Sequence, residues 1–273
     1  MSVRAAPSSL HRVKRVAAFF AIVWGVAASF ASFDLFFRGL SSRLMETGGV
    51  FESLAPLSAL ENSEVCRVEP ADSNSAGRRA SPDIRSRAWA LGVQMGLHAR
   101  AALIVAENTQ ASSSERAKAS VEGQRRVVAG VAAELQRLAE ALNVPRPAAF
   151  APANPATVLI EFVPFVEGNE NNTGRALATA YGRDACELYK MGAYWGFSVL
   201  MRAMVPGEVN VFDGEIAYYA RRLEIPESIW RPMVARTPSN ATSDALITEG
   251  DAATARVTAH LRNDAETGAA PAK

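Results

Sequence analysis

Histidine is scarce in this chain. There are three in 273 residues, and His11 lies in the N-terminal segment, leaving only His98 and His260 beyond it. Cysteine is scarcer, with Cys66 and Cys186 alone. No CxxC, HExxH or CxxCH occurs, so zinc ribbons, zincin-type hydrolases and covalent haem attachment are excluded as motif-based readings. No GxSxG elbow occurs either; Gly196-Phe197-Ser198 lacks the following glycine. Phosphate-cradling P-loop and GxGxxG patterns are missing. Neither sign of charge dominates, since the formal net charge is +1. A nucleic-acid partner is therefore not expected, because such proteins carry a basic excess. No cofactor is expected.

What the chain does have points to an exported helical protein. Hydrophobic residues make up 49% and charged residues 21%, a globular balance. Alanine is abundant, and it loses no side-chain entropy on entering a helix. The expected fold is all-α, a bundle of about five to seven helices with at most a minor two-stranded β element. At the N-terminus, Arg4, Arg12, Lys14 and Arg15 precede eighteen uncharged, mostly apolar residues, Val16 to Phe33. Positive charge before an apolar run marks an export segment with its N-terminus in the cytoplasm. Two outcomes remain open. Val26-Ala27-Ala28 and Ser29-Phe30-Ala31 each offer the small residues of a cleavage site. Uncleaved, the run is just long enough to anchor the chain in the inner membrane through residues 16–33. The expected division is residues 1–33 as signal or anchor, 34–266 as an exported domain, and 267–273 as a tail. The Pro-rich connector at 144–156 is a possible sub-boundary. The alanine- and arginine-rich composition suits a bacterial chain, placing the domain in the periplasm or on the periplasmic side of the inner membrane.

Export changes the reading of the cysteines. An oxidising compartment permits a Cys66–Cys186 disulfide closing a loop of about 120 residues, and chain entropy values such a closure at about 5 kcal/mol. Two separate buried thiols are the alternative.

Local signals place the helices. Ser81-Pro82-Asp83 combines an N-cap, proline at the first position and an acid in the first turn, predicting a helix to about Glu107. Val127, Val131, Leu135, Leu138 and Leu142 share one face of a second helix, about 114–143, ended by Asn143-Val144-Pro145. TVLIEFVPFVEG, from Thr157, reads as strand or helix, and a short helix stopped near Pro164 is favoured. One long helix is expected over 173–205. Further helices are expected at 213–224, from Pro226, and at 241–266, the last weakly packed.

The stretch ACELYKMGAYWGFSVLMRAM, from Ala185 to Met204, is apolar nearly all round, but Ala185, Gly192, Gly196 and Ala203 form a narrow small-residue seam. Gly92 and Gly96 repeat the device on the helix at 83–107. Glycine costs a helix about 1 kcal/mol relative to alanine, so the repetition predicts close helix packing, of these two helices against each other.

Other candidates are weaker. Met95 and His98 are three apart on one helix and suit copper or haem iron. With Tyr194 and Met201 they would line a ligand pocket. Asp184 and Glu187, next to Arg183 and Lys190, read as solvated ion pairs, although convergence with Glu161, Glu167 and Glu170 would make a carboxylate enzyme. Tyr218, Tyr219, Arg222 and Trp230 form an aromatic and basic cluster of the kind enriched at interfaces. The leading functional expectation is a binding or scaffolding protein with a protein partner in the envelope. A small-ligand or metal-binding protein and a carboxylate-dependent enzyme are the alternatives.

Overall fold

Ser81 caps the first helix as its sequence predicts, its Oγ accepting from the Ile84 N–H at 3.4 Å. The computed structural model describes Cys66 and residues 79–111, 115–152, 158–167, 172–204, 212–235, 238 and 240–267. The export segment, most of the possible strand at 207–213 and the C-terminal tail fall outside these. All regular structure among the described residues is helical. The elements are α1 (Pro82–Ala111), α2 (Glu115–Ala141), α3 (Val158–Glu167), α4 (Asn172–Tyr181), α5 (Arg183–Met204), α6 (Asp213–Arg222), α7 (Glu227–Val234) and α8 (Ser243–Thr267).

The chain forms two compact units. One takes residues 1–54 and 101–130; among its described residues Leu103, Ile104 and Val121 are buried, and Asn108 Nδ2 donates to Gln124 Oε1 at 3.0 Å. The other takes residues 55–100 and 131–273 and is organised on α5.

Ala185, Cys186, Leu188, Tyr189, Met191, Ala193, Tyr194 and Phe197 of α5 are all fully buried. This matches an all-round apolar helix, which needs neighbours on every side. It packs against α3, α4, α6 and α8. The α8 stripe of Leu246, Ala253, Val257 and Leu261 is buried, so this helix is better packed than its sequence suggests.

α5 and α1 meet backbone to backbone. A Cβ on Gly92 would sit 2.0 Å from the Tyr189 carbonyl oxygen, and one on Gly96 would sit 2.1 Å from that of Ala193. From the other side, a Cβ on Gly192 would meet the Trp89 carbonyl oxygen at 2.5 Å and one on Gly196 that of Val93 at 2.1 Å. The obstacles are backbone atoms, so no rotamer change can relieve them. The two glycine pairs face each other, as their shared pattern predicts. α1 is also long and apolar enough to cross a membrane by length and composition, but 61% of its most apolar stretch is buried in the protein, as in a core helix.

Two expected helix boundaries also need correction. The long helix at 173–205 is in fact α4 and α5, broken at Gly182, whose φ of 88° suits glycine. Gly182 N–H still closes onto the Ala178 carbonyl at 2.9 Å, then the chain turns into α5. The helix favoured at 157–166 forms, but Pro164 lies inside it rather than ending it. Pro164 is exposed, while Phe162, Phe165 and Val166 are buried. Their burial offsets the one helical hydrogen bond that proline removes.

The seam makes a paired prediction. Gly196→Ala should destabilise the protein by about 3 kcal/mol in denaturant unfolding, through backbone overpacking. Gly130→Ala, where a Cβ meets nothing within 4 Å, should instead stabilise it by up to about 1 kcal/mol. Similar midpoints for the two variants would contradict the seam.

Candidate functional site

Lys190 and Tyr194 are one turn apart on α5, and α6 brings Tyr219 to the same place. Glu167, the last residue of α3, reaches all three. Lys190 Nζ lies 2.5 Å from Glu167 Oε2. Tyr194 OH donates to Oε1 at 2.9 Å, and Tyr219 OH reaches Oε1 at 2.8 Å and Oε2 at 3.0 Å. The ion-pair side chains are 0% and 2% exposed. A buried ion pair is tolerated only when its remaining lone pairs are also satisfied, and here two phenols do that. Burial, then the Glu167 charge, pushes the Tyr194 phenol well above its ordinary range, so it stays a donor. Phe162, Phe197 and Phe212 wall the cluster, with Phe162 and Phe197 ring centroids 4.3 Å apart and Tyr194 and Phe212 5.3 Å apart. Chemically the arrangement is a fixed, water-poor polar joint linking α3, α5 and α6.

A second cluster lies one turn earlier on α5. Glu187 Oε1 accepts from Arg183 Nε at 2.6 Å and from Arg222 Nε at 3.0 Å. Arg222 Nη1 donates to Tyr218 OH at 3.0 Å, and its guanidinium carbon lies 5.4 Å from the Tyr218 ring centroid. Burial raises the Glu187 carboxyl, opposed by its bond to Arg183. Burial, then the Glu187 charge, also raises the Tyr218 phenol.

Two further charged groupings involve α5. Arg85 Nε pairs with Asp184 Oδ2 at 2.8 Å. Arg202 donates to the Met233 and Ala235 carbonyls at the end of α7 and lies 5.8 Å from the Trp195 ring centroid. Near it, burial pushes the Asp213 carboxyl up to about 7, with Arg202 opposing and Glu215 adding to the shift. Asp213 Oδ1 is buried and has no hydrogen-bond partner among the described residues. The cavity beside Arg202, lined by Trp195, Val199, Leu246 and Glu249, measures about 10 Å³, room for about one water.

The structure joins Cys66 to Cys186 in a disulfide. Met95 is core filler at 2% exposure. His98 is half-buried, and burial, then Arg146, lowers its pKa. Tyr194 turns to Glu167 rather than toward a shared pocket with them, and no group of three His, Cys, Asp or Glu that could hold a metal occurs among the described residues. Of the aromatic and basic cluster, Arg222 is exposed and Tyr218 partly so, while Tyr219 is in the polar joint and Trp230 is buried beneath Arg221, 5.5 Å from its guanidinium. Among the carboxylates, Glu167, Asp184 and Glu187 each face a different cation, and Glu170 lies outside the described residues. Glu187 and Lys190 are buried, not solvated as their sequence neighbours suggest. The signal was available: Lys190 sits between Tyr189 and Met191 in a helix apolar on all sides.

Glu167→Gln removes the carboxylate that Lys190, Tyr194 and Tyr219 all contact, and should cost about 3 kcal/mol in denaturant unfolding; a loss below about 1 kcal/mol would contradict the joint. Asp213 has a folded pKa above its unfolded value, so the folded state holds a proton that the unfolded chain releases. Stability should therefore fall as pH rises from about 4 to about 7. Asp213→Asn should be more stable than the parent above pH 7, by up to about 4 kcal/mol, and equal to it below about pH 4. A pH-independent difference would contradict this. No family model, curated protein or solved structure matches the chain.

Proposed function

We propose that this is an exported envelope protein of a bacterium, whose helical bundle binds or scaffolds partners in a membrane-associated or periplasmic assembly. The observation that carries the reading is the Cys66–Cys186 disulfide. A bond between cysteines 120 residues apart persists in an oxidising compartment and is rare in the cytosol. The basic residues before the apolar run at 16–33 supply the route. The binding role draws on the exposed Arg221 and Arg222 and the half-buried Tyr218 on α6, because arginine and tyrosine are enriched where proteins meet. The carboxylates support this over an enzyme: Glu167, Asp184 and Glu187, three that the sequence nominated for catalysis, each pair with a cation of their own fold.

The test has two arms. A C-terminal reporter that folds only under oxidising conditions should be active in intact cells, and mass measurement should show the chain two hydrogens lighter before reduction. Deletion of residues 1–33 should abolish both. A photocrosslinker at Arg221 should yield a discrete adduct absent with the crosslinker at Ala180, another exposed position. A reporter that stays inactive in intact cells would overturn export; identical adduct patterns from the two positions would overturn the binding role.

A further inference from the structure

Among the described residues, Arg183, Tyr218 and Arg222 hold more donors than they have acceptors. A single oxygen, Glu187 Oε1, receives Arg183 Nε at 2.6 Å, Arg222 Nη2 at 2.8 Å and Arg222 Nε at 3.0 Å. Two guanidinium ions on one carboxylate leave a positive charge in excess, and they do so where burial already disfavours the carboxylate. Only the Nε of Arg183 is bonded among the described residues, and its side chain is 57% exposed. Tyr218 OH accepts from Arg222 Nη1, leaving its own proton with no acceptor among the described residues. The raised Tyr218 pKa keeps that proton in place.

We propose that Arg183, Tyr218 and Arg222 form a binding site for a phosphate-type oxyanion. A tetrahedral oxyanion offers an acceptor oxygen to each of three donors and neutralises the excess charge. Guanidinium forks suit phosphate oxygens in particular. The donors are also preorganised: Glu187 bridges the two arginines, and the Tyr218 ring supports Arg222 at 5.4 Å. The site combines the start of α5 with the end of α6 and stands whether or not the chain is exported. Its source is either a phospholipid headgroup or a soluble phosphate, which share this chemistry.

The test titrates the purified full-length protein with inorganic phosphate and, separately, with dihexanoyl phosphatidylglycerol below its micelle concentration, following arginine Nε–H resonances. Saturable shifts are expected. Arg183→Gln should weaken binding about tenfold and Tyr218→Phe several-fold; both leave the Arg222–Glu187 pair to hold the fold. Arg262→Gln, which removes the same charge from an exposed position on α8, should leave affinity unchanged. Tighter binding of the lipid identifies a headgroup site, and tighter binding of phosphate a soluble one. No saturable shift with either probe, or equal weakening by Arg262→Gln, overturns the proposal.

Discussion

Backbone meets backbone where α1 crosses α5, and the rest of the second unit depends on that contact. Four glycines remove the Cβ atoms that would separate the helices. The loss of helix propensity is about 1 kcal/mol each. What offsets it is dense packing of two apolar helices, with Trp89, Leu91 and Met95 on one side and Tyr189, Met191 and Tyr194 on the other all buried. A side chain at any of the four positions would drive the helices apart and open the core along their length. Cys186 lies one turn before Lys190, so the disulfide ties Cys66 to the same helix. Bundle, bond and polar joint share α5 as their axis.

That axis also explains the ion pairs. Where α5 is surrounded by protein, a charge on it needs a partner from another element. Asp184 takes Arg85 from α1, Glu187 takes Arg222 from α6, and Lys190 takes Glu167 from α3. Such pairs need not add net stability over apolar packing. Here they fix which helix lies against which face of α5, since a wrong pairing would strand a charge. The Glu187 cluster carries the most exposed cations of the three, Arg183 at 57% and Arg222 at 31%, and there two guanidinium ions share one carboxylate. The proposed oxyanion site is the outer end of the same network.

Much of this was legible in the sequence, and the reasons differ by feature. Ser81-Pro82 and Asn143-Val144-Pro145 are local steric signals, and they bound α1 and α2 within a few residues. The facing glycine pairs were readable because an unfavourable residue repeated at helical spacing calls for a tertiary cause. Gly182 was missed as a break because glycine tolerates both helix interior and positive φ; only the fold decides. Pro164 was read as a stop because propensity is local, while burial of Phe162 and Phe165 is not. The partners of Glu167 and Glu187 could not be read, because ion pairing between residues 23 and 35 positions apart depends on topology. The apolar setting of Lys190 signalled a buried charge, but not which carboxylate would meet it.

Native-state hydrogen exchange is the most direct test of the seam as the organising contact. It reports the opening free energy of each helix separately. If α1 and α5 stand or fall together, amides at 89–97 and 189–197 will exchange with one shared free energy, equal to that of global unfolding. Exchange of the 89–97 amides at a clearly lower free energy than those at 189–197 would mean that α1 detaches while α5 stays folded, and would contradict the account.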